Sequence, residues 1–204
     1  MLKKYSVLIG TLCSVILLLI ATSLYPGGSF SDKNTVGFDW TKNFISNLFA
    51  PIALNGSPNP SRNWASAGMI FLSVSLALFF IDFSTKIPLK GASKVIKYWG
   101  AGSAICTFLI ATPWHDIMVT IASTMFLLAF FYITVFVLKS RLPLFKFLCI
   151  ICLLIFYYTL YLYGAGDFAL LPIMQKITFA SAIGVILLLQ HFTQKEDFQH
   201  LISS

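Results

Sequence analysis

Six apolar runs, each close to the length a helix needs to cross a bilayer, constrain this chain more than any other feature. They cover residues 6–25, 64–84, 95–112, 116–138, 145–163 and 172–192. A spanning helix takes roughly 20 apolar residues. Lipid offers no partner for bare backbone N–H and C=O groups, so the runs must be helices rather than open strands or loops. Only 10% of the residues are charged and 58% are hydrophobic, against about 25% charged in a soluble domain. That leaves too little polar surface to coat a water-soluble globule. The expected fold is all-α: one polytopic transmembrane bundle over residues 1–204, with about six spanning helices.

The charges set the expected orientation. With the N-terminus inside, the inner segments carry Lys3, Lys4, Lys86, Lys90, Lys94, Lys97, Lys139, Arg141, Lys146 and Lys195, and the outer ones only Lys33, Lys42, Arg62 and Lys176. Lysine and arginine favour the cytoplasmic side, so both termini are expected there, in the cell (plasma or inner) membrane, with a polar cytoplasmic tail at 193–204. The net charge of +7 is explained by those loops, which excludes nucleic acid as the expected partner. Lys3, Lys4 and the small residues Ala21, Thr22 and Ser23 resemble a signal peptide, but the run is long enough to span and is read as an uncleaved first helix. The cysteines Cys13, Cys106, Cys149 and Cys152 all lie in apolar runs. Cys149 and Cys152 have redox or zinc spacing without a second pair and are read as small packing residues.

Connections after the second to fifth helices are short, so consecutive helices should pack antiparallel. The exception is the first outer loop, 26–63, which opens on Pro26, Gly27 and Gly28 and closes on Pro58, Asn59 and Pro60. A loop of that length usually carries structure or function. On a helical wheel Trp40, Phe44, Ile45, Leu48 and Phe49 fill one half, and Asp39, Lys42, Asn43, Ser46 and Asn47 the other. This predicts a short amphipathic helix capping the bundle or lying at the interface.

No acidic, basic or histidine side chain sits near the middle of a span. Asp82 and His191 are near inner ends, so a proton-coupled carrier is not expected. Polar groups gather instead on the outer side: Asp39, Asn43, Ser46, Asn47, Arg62 and Asn63 from the first loop, His115 and Asp116 between the third and fourth helices, and Asp167, Gln175 and Lys176 around the last outer turn. Each also has a structural explanation. Asp116 suits a helix start, Asp167 a glycine-flanked turn, Arg62 and Lys176 lipid phosphates. Tyr157, Tyr158, Tyr161 and Tyr163 suit an aromatic belt, and Ala180 with Gly184 a close helix contact. An enzymatic reading takes Ser46 as nucleophile, His115 as base and Asp167 or Asp116 as the orienting acid. Neighbouring residues on a helix point about 100° apart, which disfavours Asp116 and leaves Asp167 in that role. A single outer histidine is too few ligands for a catalytic zinc, so no metal and no cofactor are expected.

Several short motifs stand in a suggestive order: Pro26-Gly27 after the first helix, Ile45-Ser46-Asn47-Leu48, Asn63 opening the second helix, Pro113 followed by His115 and Asp116, and Gln175-Lys176 opening the sixth. In this order the chain resembles the bacterial and archaeal membrane family called domain of unknown function 998, itself similar to the eukaryotic damage-regulated autophagy modulator group. The chain has Asn47 where the family often has an acidic residue, and His115 directly before Asp116 where the family places Asp ahead of a later His. The resemblance implies a six-helix membrane fold with a polar outer face and no assigned activity. The leading expectation is a non-enzymatic protein that binds a lipid headgroup or another membrane protein through Asp39, Asn43, Asn47, Arg62, Asn63, Asp116, Gln175 and Lys176. The alternatives are a hydrolase or acyltransferase acting on lipid at the outer leaflet, and permeation of a small solute.

Overall fold

The computed structural model describes residues 2–199, with side chains from Tyr5 onward; the side chains of Lys3 and Lys4 and the tail residues 200–204 lie outside the described residues. Six long helices follow one another: α1 (Leu2–Ser23), α2 (Ser61–Ser84), α3 (Lys90–Leu109), α4 (His115–Lys139), α5 (Pro143–Ala165) and α6 (Leu171–Phe192), before a four-residue α7 (Glu196–Gln199). Five of them, α1 over Tyr5–Ser23, α2, α4, α5 and α6, are long and apolar enough to cross a membrane. Helix α3 falls short of that standard because Lys90, Lys94 and Lys97 occupy its first two turns.

Packing follows chain order, α1 on α2, α2 on α3, α3 on α4, α4 on α5 and α5 on α6, with α6 returning to α1 and α2. Small residues let α1 and α2 approach. A Cβ on Gly10 would run into the Ser75 hydroxyl, and one on Gly68 would press on the Ser14 carbonyl at 3.2 Å, the kind of close contact that joins helices in lipid, where burial drives little. Ala180 and Gly184 do not do this: Ala180 is exposed and Gly184 faces open space, so their expected helix contact is absent among the described residues.

One end of the bundle holds the short connections after α2 and α4 together with α7, and here called the terminal end. It is filled by a phenylalanine core, in which Phe79, Phe80, Phe83, Phe130 and Phe136 are buried with Ile133 and Val137. Phe198 of α7 is also fully buried, its ring 5.7 Å from that of Phe83. Lys86 is buried here and donates from Nζ to the Thr193 carbonyl at 3.0 Å, a cation placed on the carbonyl end of α6, where the helix dipole favours it.

The loop end carries residues 24–60 and the turns after α3 and α5. The expected amphipathic helix is not formed. Only Ile45–Phe49 is helical, as a 3₁₀ turn, and two residues of the supposed polar face are inside: Asn43 is 0% exposed and Asn47 9%, while Lys42 is exposed and Asp39 and Ser46 are half-buried. The reason lies in the asparagine side chains. Asn47 Oδ1 accepts the Phe44 amide at 2.7 Å, and Asn43 Oδ1 accepts the Asp39 amide at 2.8 Å while its Nδ2 donates to the Gly28 carbonyl at 2.7 Å. Such local bonds compete directly with the helix ladder. Phe44, Ile45, Leu48 and Phe49 are buried as the wheel predicts, but Trp40 is half exposed and stacks edge-on against Phe38 at 5.3 Å. Glycine is required at Gly28: its φ is +83°, and a Cβ there would strike the backbone of Leu54 and Asn55.

Candidate functional site

The loop end closes over a cavity of about 660 Å³, within the range of roughly 300–1,000 Å³ that binding pockets occupy. Helices α2 to α6 wall it and the 3₁₀ turn roofs it. Its floor is apolar, made by Met69, Leu72 and Leu76 of α2, Phe126 of α4 and Phe179, Ile183 and Ile186 of α6. Leu76 lies fourteen residues along α2 from Arg62, which at 1.5 Å per residue is about 21 Å. The cavity therefore reaches into the middle of the bundle and stops above the phenylalanine core.

The mouth combines polar and aromatic side chains. Ser46, Asn47, Arg62, His115, Asp116 and Gln175 all line the cavity. These six of the sequence candidates converge. Phe30, Phe44 and Phe168 line the same cavity, with ring centroids 5.9–6.5 Å apart. Phe30 and Phe168 are both more than half exposed, as aromatic side chains at a membrane interface commonly are.

Lys176, Asp39 and Asn43 hold the loop rather than line the cavity, and Gln175 does both. Lys176 Nζ donates to the Asn43 carbonyl at 2.6 Å and to the Pro172 carbonyl at 2.8 Å, and lies 5.6 Å from the centre of the Phe38 ring. Gln175 Oε1 accepts the Ile45 amide at 2.9 Å, pinning the 3₁₀ turn onto α6. Asp39 accepts from the Thr41 hydroxyl and from the Thr41 and Lys42 amides. The Thr41 hydroxyl first, then those amides and the Lys42 charge, hold its carboxyl below the usual range. Asn63 is exposed and away from the cavity. Asn59, which the sequence did not single out, is buried and donates from Nδ2 to the Ala50 carbonyl at 2.8 Å. Tyr25 was missed too. It is buried, its hydroxyl accepts the Leu54 amide at 3.2 Å, and burial raises its pKa. A buried asparagine or tyrosine in a long loop has no sequence signature beyond the Pro and Gly residues around it.

Two expectations about the acid–base set are corrected. Asp167 does not approach His115: it is exposed, its Oδ1 accepts the Ala169 amide at 3.1 Å, and it does not line the cavity. The residue that reaches His115 is Asp116, whose Oδ1 accepts from Nδ1 at 2.9 Å. Both stand at the very start of α4, where side chains splay around the open first turn, so the 100° offset does not separate them. Among the described residues the Asp116 carboxylate bonds to His115 and to no backbone amide of α4. Its contact favours a proton on Nδ1 and leaves Nε2 of His115 as an acceptor. Ser46 is half-buried, and no hydrogen bond joins its hydroxyl to His115 among the described residues. The described residues hold no group of three or more His, Cys, Asp or Glu side chains arranged for a metal, and all four cysteines are free.

No protein-family model, curated protein or solved structure matches this chain. The resemblance to the domain of unknown function 998 family therefore rests on its short motifs, and the site on its geometry.

Proposed function

We propose that this is a six-span integral membrane protein that binds a membrane lipid in the cavity at its loop end, acyl chain down and headgroup at the mouth. One observation carries the proposal: a single cavity combines a floor of Met, Leu, Ile and Phe about 20 Å deep with a mouth bearing Arg62, His115 and Asp116. An apolar pocket with few convergent polar groups is what a small-molecule site requires, and this polarity gradient runs parallel to the helices, as a bilayer lipid does. Taking α3 as the sixth span puts its lysines at the interface, where long stems carry the charge out to water. The loop end then faces outward, and both termini lie in the cytoplasm. The resemblance to the domain of unknown function 998 family fits the same arrangement.

Permeation is disfavoured by the packed phenylalanines beneath the floor. Hydrolysis is disfavoured because no base lies within hydrogen-bonding contact of Ser46 among the described residues.

The test is lipid retention. Full-length protein extracted in mild detergent and passed through size exclusion should carry bound lipid detectable by mass spectrometry. Ala182, buried in the cavity wall on α6, is replaced by Phe to fill the floor, and Leu76→Trp serves as a second filling variant. Both should lose the lipid while keeping wild-type helix content. Equal lipid in wild type and in a folded filling variant, or none in wild type, refutes the proposal.

A further inference from the structure

The mouth of the cavity carries opposite charges that do not neutralise each other. Arg62 and Asp116 line the same cavity, yet among the described residues no ion pair or hydrogen bond reaches the Arg62 guanidinium, and Asp116 pairs only with His115. Asp116 is 87% exposed and keeps Oδ2 free of any described partner. A site for a simple anion would gain nothing from a carboxylate at its rim, and a site for a simple cation nothing from an arginine.

From this we infer that the headgroup is zwitterionic and of the phosphoethanolamine type, with its phosphate on Arg62 and its primary ammonium on Asp116. The inference rests on the lipid-binding reading above. The guanidinium fork matches a phosphate in bidentate fashion. At the other pole a carboxylate oxygen accepts N–H bonds, which a primary ammonium has and a quaternary one lacks; the Phe30, Phe44 and Phe168 rings of the same cavity would suit a quaternary group, and the phosphatidylcholine analogue below separates the two. His115 orients the carboxylate by holding its other oxygen at 2.9 Å.

The source of the ligand is the bilayer rather than the aqueous phase. Asp116 and Tyr163 line the central cavity and also a shallow groove on the flank of the bundle with Ile117, Thr120 and Ile121. That groove lies along the seam of α4 and α5, where Ile117 and Tyr163 are exposed. A lipid sliding in from the flank meets Asp116 first, ammonium leading, and turns its phosphate toward Arg62 as the chain drops into the floor.

The experiment compares probes with one palmitoyl chain on the purified full-length protein in amphipol: lysophosphatidylethanolamine, lysophosphatidylcholine, lysophosphatidylglycerol and monopalmitoylglycerol, with glycerophosphoethanolamine as the chainless control. Lysophosphatidylethanolamine should bind about tenfold more tightly than the phosphatidylglycerol and phosphatidylcholine analogues, the size expected of one charge-assisted hydrogen bond. Asp116→Asn should erase that preference. Arg62→Gln should weaken every phosphate-bearing probe and leave monopalmitoylglycerol unchanged. The chainless control should not compete, and competition at equal concentration would place the site in the aqueous phase and overturn the inference. If all chain-bearing probes bind equally, or if Asp116→Asn keeps the preference, the headgroup inference fails and the cavity reading stands. If no probe binds, the cavity reading itself has failed.

Discussion

Replacing Asn43 by Leu should open the loop while leaving the bundle intact. The side chains share a four-atom skeleton branched at Cγ and leucine is the larger, so none of the effect comes from a cavity. What changes is hydrogen bonding. Asn43 is fully buried, and its loss strands the Asp39 amide, held at 2.8 Å, and the Gly28 carbonyl, held at 2.7 Å. A buried backbone group left without a partner costs about 1–3 kcal/mol. The Gly28 carbonyl keeps a long contact of 3.5 Å from the Tyr25 hydroxyl, and Asp39 is only half-buried, so both belong in the lower half of that range, at about 1.5 kcal/mol each. The sum is about 3 kcal/mol, which corresponds to roughly a hundredfold change in an opening equilibrium. Amide hydrogen exchange reads that equilibrium when reclosing outruns exchange. The reporters are the Gly28 amide, bonded to the Thr35 carbonyl at 2.8 Å, and the Gly37 amide, bonded to Pro26 at 3.1 Å. They should exchange about a hundredfold faster in Asn43→Leu, while amides in the middle of α4 stay as protected as in wild type. Unchanged rates at Gly28 and Gly37 would show that the asparagine does not hold the loop, and general acceleration through α4 would show that loop and bundle unfold together.

Other outcomes follow from the same loop and its cavity. Asp39 has a carboxyl pKa lowered by Thr41 and Lys42, so its stabilising effect is fully present above the unfolded carboxyl value of about 3.9 and is lost as pH falls through the folded value. Acidification below about pH 4 should speed exchange at the Thr41 and Lys42 amides, and Asp39→Asn should abolish that pH dependence; equal pH dependence in the variant would remove Asp39 as its source. Gly28 and Gly56 both have positive φ, but only at Gly28 does a Cβ meet backbone. Gly56→Ala should therefore cost about 1 kcal/mol of strain, and Gly28→Ala should prevent the loop from forming, as limited proteolysis between residues 30 and 60 would reveal; equal protease resistance in the two variants would contradict the geometry. A fluorophosphonate probe should leave Ser46 unlabelled, since its hydroxyl has no base beside it, and stoichiometric labelling would revive the hydrolase.

The helices were legible because lipid enforces a simple rule. Each apolar run became a helix, and the starts of α2 and α4 fell within three residues of the expected positions. The rule marks what lipid touches, however, not where a helix stops. Helix α3 begins at Lys90, five residues before its apolar run, because lysine is a good helix former once it reaches water. The wheel over 39–49 failed for the opposite reason. It sorted residues by polarity alone, while Asn43 and Asn47 used their amides to replace the helix ladder and went inside with their partners.

The site was legible in its polar half only. Topology alone brings the outer connections to one end of an antiparallel bundle, and so Ser46, Arg62, His115 and Asp116 could be grouped without coordinates. The cavity could not be foreseen, because it is space that Ala122 and Ala182 do not fill, and a small residue reads the same whether its neighbours close over it or leave a void. Coordinates also divide the polar candidates by a criterion no sequence provides. Asp39, Asn43, Asn47, Lys176 and Asp167 have their main polar atoms bonded within the loops, so desolvating them is already compensated and a ligand would gain little from them. Arg62, the Ser46 hydroxyl and the second oxygen of Asp116 have no such partner among the described residues, and these groups surround the cavity. Where a protein leaves its hydrogen-bonding capacity unfilled beside an apolar hollow, an amphiphile would supply both missing halves at once, and that is the physical basis of the lipid-binding proposal.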